Sequence, residues 1–246
     1  MSNSWFRFKK FRIEQGGSAM KVGTDGVLLG AWCRIGPEQR RLLDVGTGTG
    51  LIALMAAQRL EACGAPDGFR VDALEVDGRS ARQAEENVAA GPWPGAVRVI
   101  PRSLQDFARE YDGEGYDHIV SNPPYFVDSL RCPDPARSAA RHADTLPYPD
   151  LAVCVGCLLA PGGIFSVILP PDGMERLTDL AAGEGLYPLR RTAVVPAPGL
   201  PVMRVLTEFG TEMAMPCEDT LAVSTADRSG FSEEYRRLTR DFYLKF

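Results

Sequence analysis

No uninterrupted apolar run in the 246-residue chain approaches the roughly 18 residues that suggest a membrane-spanning helix. The first ten residues, Met-Ser-Asn-Ser-Trp-Phe-Arg-Phe-Lys-Lys, lack the apolar centre of a secretory signal, so a cytoplasmic location is expected. No internal repeat, low-complexity tract or long linker is present. With 45 % apolar and 24 % charged residues, neither a disordered nor a collagen-like chain fits. Cysteine is sparse and scattered, at 33, 63, 132, 154, 157 and 217. Only Cys154 and Cys157 lie close together, and a metal or redox centre would need a second pair or a nearby histidine. They read instead as small buried residues on a helix, and no metal is expected. A basic surplus is also missing: the net charge is −5, which speaks against nucleic-acid binding by overall charge. That charge is unevenly placed. In the first 21 residues Arg7, Lys9, Lys10, Arg12 and Lys21 face Glu14 alone, a basic arm able to touch phosphate on an otherwise acidic body.

From Arg41 onward, short β-branched runs alternate with alanine-rich stretches. Strands are expected at 42–45, 71–76, 97–100, 116–121 and 164–169, with helices at 51–58, 79–88, 151–159 and 174–182. This βαβα rhythm predicts an α/β domain with a parallel sheet covered on both faces. Two further strands, 191–195 and 202–209, flank a proline-rich loop at 196–201, and 232–245 reads as a closing helix. Ahead of the sheet, 5–13 alternates aromatic and basic residues like an edge strand or hairpin.

Asp44-Val-Gly-Thr-Gly-Thr-Gly50 sits between a strand and a helix, where glycines allow a tight turn and close approach of a ligand. A dinucleotide fingerprint needs G-x-G-x-x-G; here the third glycine comes one residue early, at 50. Asp44 suits an ammonium group better than a pyrophosphate. S-adenosylmethionine, which carries an ammonium and a sulfonium and no phosphate, fits Asp44, Gly46, Thr47, Gly48 and Gly50 better than a dinucleotide does. Glu75, near the tip of the next strand, is the candidate for the ribose hydroxyls; Asp77 fits a helix cap. Ser103-Leu-Gln-Asp-Phe107 follows strand three, and Leu104 is placed to bracket an adenine ring, with Ser103 or Asp106 as alternative helix caps.

The fourth strand ends in Asn122-Pro-Pro-Tyr125. In a doubly wound sheet it would flank the glycine loop at the point where strand order reverses. The prolines hold the Pro123 carbonyl rigidly, and with the Asn122 side-chain oxygen it can accept two hydrogen bonds from one planar amino group. Such a grip aims the nitrogen lone pair at a sulfonium methyl, so catalysis becomes positioning and electrostatics. Tyr125 offers a ring on which a flat substrate can stack.

With both motifs in view, the chain resembles the class I S-adenosylmethionine-dependent methyltransferases of the N-P-P-Y group, and among them the bacterial tRNA(Val) adenine-N6 methyltransferases. Phe8-Lys-Lys-Phe11 with Gln15, Met20–Trp32, Ala73–Asp77, Gln83–Asn87, Ser121–Phe126, Ala140-Arg-His142 and Asp241–Phe246 carry the resemblance. It implies a Rossmann-like, doubly wound, mostly parallel sheet with an antiparallel C-terminal strand. It also implies a segment 1–40 folding over the cofactor, and able to contact RNA, ahead of a methyltransferase domain 41–246. Lys21, Gly23 and Thr24 would line the methionine end. Arg141 and His142, with Lys9 and Lys10 of the basic arm, would serve the tRNA side. Catalysis would rest on Asn122, Pro123, Pro124 and Tyr125, with Asn122 also contacting the cofactor. His118 reads as a packed strand residue.

Other readings share parts of this pattern. A glutamine side-chain amide on a release factor is also a flat –NH₂, but only 43 residues precede Asp44, and such enzymes carry a larger helical domain upstream. Another RNA as methyl acceptor, a non-catalytic binder on the same fold and a nicotinamide dehydrogenase complete the alternatives.

Overall fold

The computed structural model describes residues 3–17, 21–66, 68–125 and 146–245. An antiparallel hairpin, β1 (Trp5–Arg7) and β2 (Arg12–Glu14), leads to α1 (Thr24–Trp32). Strands and helices then alternate through β3 (Arg41–Val45), α2 (Leu51–Ala62), β4 (Arg70–Leu74), α3 (Gly78–Ala90), β5 (Val97–Ile100), α4 (Leu104–Glu110) and β6 (Tyr116–Ser121). The second half comprises α5 (Tyr148–Leu158), β7 (Leu159–Leu169), α6 (Pro171–Gly183), β8 (Tyr187–Val195), β9 (Arg204–Gly210), β10 (Cys217–Ala222) and α7 (Glu233–Thr239). One sheet takes the order β10-β8-β9-β7-β6-β3-β4-β5. All its pairings are parallel except those of β9, which runs against both β7 and β8. This is the expected doubly wound α/β architecture. The order reverses at β3, whose neighbours are β4 and β6; Val45 stands opposite Leu74 on one side and Ser121 on the other.

The apolar strand runs are buried on both faces, as central parallel strands must be. Successive residues of β3 point to opposite sides. Leu43 and Val45 pack with Phe107, Leu151 and Leu177 beneath α4, α5 and α6, while Leu42 packs with Leu54, Val71 and Val88 beneath α2 and α3. Phe8, Phe11 and Ile13 of the hairpin bury themselves in that second cluster, together with Phe242 from the far end of the chain. The described residues of the segment 1–40 thus share a core with the sheet.

Three expectations need correction, and one strand went unforeseen. Strand β7 begins at Leu159 rather than 164, and Pro161-Gly-Gly163 lies within it, where the register against β6 slips between Tyr116 and His118. The closing helix stops at Thr239 rather than 245, because a turn bonding Phe242 and Tyr243 back to Thr239 drives Phe242 into the core. Strand β10, unforeseen, adds itself parallel to β8 and ends the sheet. Cys154 is buried, but Cys157 is exposed on the outer face of α5.

Candidate active site

At the carboxyl ends of β3 and β6 the chain encloses a cavity of about 830 Å³, a size suited to a cofactor and part of a substrate. Lys21 and Gly23 line it from the segment before α1 and Thr24 from that helix's first position; Gly46, Thr47 and Gly48 from the glycine loop; Glu75 from the turn beyond β4 and Leu104 from the start of α4; and Asn122, Pro123, Pro124 and Tyr125 from beyond β6. Residues separated by more than a hundred positions, such as Lys21 and Tyr125, therefore meet, as the strand order requires.

The loop's shape rests on left-handed backbone at Gly46, Gly48 and Gly50, with φ of 72°, 57° and 82°. Four of its amides are engaged within the protein. Gly46 and Thr47 donate to the Leu74 carbonyl at 3.0 and 2.8 Å, Gly50 donates to the Thr47 carbonyl at 3.0 Å, and Gly48 donates to Glu75 Oε2 at 2.8 Å. A pyrophosphate needs such amides turned outward, so this geometry disfavours a dinucleotide.

Asp44 and Gly50 stand behind the cavity lining. Asp44 Oδ2 accepts from Thr47 Oγ1 at 2.5 Å and from the Ala53 amide at 3.0 Å, clasping the loop to the start of α2. Its Oδ1 is buried and has no partner among the described residues. Burial pushes the carboxyl up to about 7, against the opposing pull of Thr47 and Ala53. A nearby cation would restore the ionised form. Glu75 is fixed by the Gly48 amide and by the Asp77 amide on its Oε1 at 2.9 Å. Asp77 caps α3 by accepting from the Ser80 amide at 2.7 Å, and Ser103 caps α4 by accepting from the Asp106 amide at 3.1 Å.

Across the cavity, Ser121 Oγ donates to the Val45 carbonyl at 3.0 Å and ties the end of β6 to that of β3. The Tyr125 hydroxyl lies 2.7 Å from Asn122 Oδ1 and 2.7 Å from Asp25 Oδ2. Arg204, at the start of β9, donates through Nε to Asp25 Oδ2 at 2.9 Å and holds its guanidinium 4.6 Å from the Tyr125 ring centroid. One face of that ring is therefore covered by the guanidinium, and the ring also packs against the core cluster beneath α4, α5 and α6. Burial, and then the Asp25 carboxylate, hold the Tyr125 phenol protonated well above the ordinary tyrosine range. Asp25 and Arg204 escaped the sequence reading of roles. Asp25 lies inside the Met20–Trp32 block, a usable signal, whereas Arg204 has only the strand topology to bring it there.

Lys9 and Lys10 are not brought to the cavity. Lys9 Nζ donates to the Arg240 carbonyl at 2.5 Å, and Lys10 pairs with Glu61 at 3.2 Å, at the end of α2 remote from the loop. Arg141 and His142 lie outside the described residues. His118 is packed, as expected, with Ser166 Oγ at 2.8 Å and Gln39 Nε2 at 3.4 Å, and burial pushes its pKa down to about 3. Among the described residues no group of three His, Cys, Asp or Glu side chains is arranged to hold a metal, and no helix is long and apolar enough to cross a membrane.

A family model described as the methyltransferase small domain matches residues 27–138. A Bacteroides fragilis protein named tRNA1(Val) (adenine(37)-N6)-methyltransferase is 45 % identical over 245 residues, covering 100 % of both chains. Its Parabacteroides distasonis namesake is 46 % identical over 246 residues with the same coverage. Among solved structures, a predicted O-methyltransferase from Agrobacterium tumefaciens shares the fold at 19 % identity and a TM-score of 0.67, over 89 % of this chain and 96 % of that one. The chain belongs to the family of bacterial methyltransferases that carry the name tRNA1(Val) (adenine(37)-N6)-methyltransferase.

Proposed function

We propose that the protein methylates the N6 amino group of an adenine in tRNA with S-adenosylmethionine as donor, the adenine being position 37 of tRNA1(Val), as in the relatives' names. The observation that carries this reading is the position of Asn122 and Pro123 in the wall of the same cavity that the glycine loop lines. The donor's chemistry fits the residues present. Asp44, behind the loop with one buried oxygen that has no partner among the described residues, supplies a negative charge that favours an ammonium group in the cavity. Each Glu75 oxygen accepts one bond from the protein and retains a lone pair for a ribose hydroxyl. Leu104 gives the adenine ring an apolar wall, and Lys21, Gly23 and Thr24 cover the methionine end. When bound, the donor supplies an electrophilic methyl carbon on a thioether leaving group.

The chain's own part is positional. Asn122 Oδ1 and the Pro123 carbonyl accept the two N–H bonds of a flat amino group, and the Tyr125 ring stacks the base. Lys9, Lys10, Arg141 and His142 serve the RNA, which is a cytoplasmic substrate. The test is nucleoside mass spectrometry of tRNA from cells with and without the protein, together with methylation of a tRNA1(Val) transcript in vitro. N6-methyladenosine that depends on the protein is expected. A labelled product that survives ribonuclease but not protease would overturn the reading in favour of a protein amide.

A further inference from the structure

The Tyr125 hydroxyl has one hydrogen and two acceptors at equal distance, Asn122 Oδ1 and Asp25 Oδ2, both 2.7 Å away. If the hydrogen points to Asn122, it takes one of the two lone pairs of the oxygen that must receive the substrate's amino group and so weakens that oxygen as an acceptor. If it points to Asp25, that oxygen is open. A carboxylate is the stronger acceptor of the two. Asp25 is itself held by Arg204, whose Nε donates to the same Oδ2 at 2.9 Å and whose Nη1 donates to the Met203 carbonyl at 2.8 Å. The guanidinium also packs on the ring. These side chains come from the start of α1, the turn after β6 and the start of β9, and all are largely shielded, with Asp25 and Arg204 side chains 20 % and 23 % exposed.

We infer that Asp25, braced by Arg204, is a positioning residue that draws the Tyr125 hydrogen away from Asn122 and so keeps Asn122 Oδ1 a full-strength acceptor for the amino group to be methylated. This rests on the reading that an adenine amine is the acceptor. Removing the carboxylate sends the phenolic hydrogen to Asn122, whereas removing the phenolic oxygen as well opens Asn122 again. The two losses are therefore opposed in sign, which a merely structural pair would not show.

The experiment measures kcat and KM on the tRNA1(Val) transcript, and S-adenosylmethionine affinity by calorimetry, for the wild type, Asp25→Ala, Asp25→Asn, Tyr125→Phe and Asp25→Ala/Tyr125→Phe. Asp25→Ala is expected to lower kcat about tenfold, the worth of one hydrogen bond lost in the transition state, with cofactor affinity within about twofold. Asp25→Asn, whose neutral amide oxygen competes evenly with Asn122, should fall between. The double variant should return to the Tyr125→Phe level. A double variant slower than Asp25→Ala, or Asp25→Ala at wild-type kcat, overturns the assignment.

Binding supplies a readout besides turnover. With S-adenosylhomocysteine present, the wild type should prefer a transcript with adenine at the target position over one with purine, which lacks the amino group, by about fivefold. Asp25→Ala should lose that preference; a variant that retains it overturns the inference. A wild type that neither methylates nor discriminates would sink the functional reading instead, so the two failures are distinguishable.

Discussion

The two halves of the cavity are built by different means. On the donor side, main chain does most of the work: a contiguous glycine loop folds on itself, its amides engage Leu74, Thr47 and Glu75, and Asp44 clasps it from behind. On the acceptor side, side chains from positions 25, 122–125 and 204 converge on one phenolic oxygen and one carboxamide. A main-chain site is tolerant of side-chain change and fixed by backbone shape. A side-chain site depends on each group and on hydrogen placement. Donor binding and acceptor chemistry should therefore respond separately to substitution.

The sharpest separation is expected at Asn122. Asn122→Ala removes half of the grip on the amino group and should lower kcat on tRNA by a hundredfold or more, the usual scale for one oriented donor or acceptor at a reacting centre. Calorimetry should find donor affinity little changed. A loss shared equally by both measurements would mean that the halves are not distinct.

Asp44 tests the donor side through pH. Its carboxyl is raised to about 7, and on the proposed reading the ionised form behind the loop attracts the donor's ammonium, so affinity should rise with pH. Roughly tenfold tighter binding is expected at pH 7.5 than at pH 6, and Asp44→Asn should flatten that profile. The same shift fixes the sign for stability. With the folded value above the unfolded one, Asp44's contribution is fully present below 3.8 and is lost as pH rises through about 7. The ligand-free Asp44→Asn protein should accordingly melt above the wild type at pH 8, with the gap closing toward pH 5. A gap that widens on acidification would refute the assignment.

What was legible in the sequence follows the same division. The sheet and the donor side could be read because their signals are local: apolar runs bounded by turns, and glycines where backbone must be left-handed. Asn122–Tyr125 could be read because the strand order brings the turn after β6 beside the loop. The Asp25–Arg204 brace could not, since nothing in either neighbourhood announces a partner across the sheet. Strand β10 escaped for another reason: four of its six residues are exposed and only Leu221 is buried, so it carries no apolar alternation. The closing helix was overextended because Phe242 and Tyr243 suit a helical pattern until tertiary packing against Phe8 claims them.

Gly50 offers a smaller test. An added Cβ there would meet Ala84 at 3.6 Å, ordinary contact, so Gly50→Ala isolates the cost of holding φ at 82° in a residue with a side chain. That cost is about 1–2 kcal/mol, or roughly 2–8 °C in melting midpoint for a domain of this size. Donor affinity should fall with it, while the adenine-over-purine preference stays.

The smallest effect concerns the basic arm. Lys10 and Glu61 are half exposed, at 47 % and 52 %, so their pairing is worth under about 1 kcal/mol and its loss should scarcely move the melting midpoint. Their distance from the cavity also removes them from the chemistry. Replacing Lys9 and Lys10 by glutamine should therefore leave kcat and donor affinity as they are, yet weaken tRNA binding a few-fold. If both lysines face phosphate in the complex, the slope of log affinity against log salt should flatten by about one to two. An unchanged slope would take the arm out of the RNA interface and leave its aromatic residues, which lock the hairpin to α2 and Phe242, as the reason for its place in the fold.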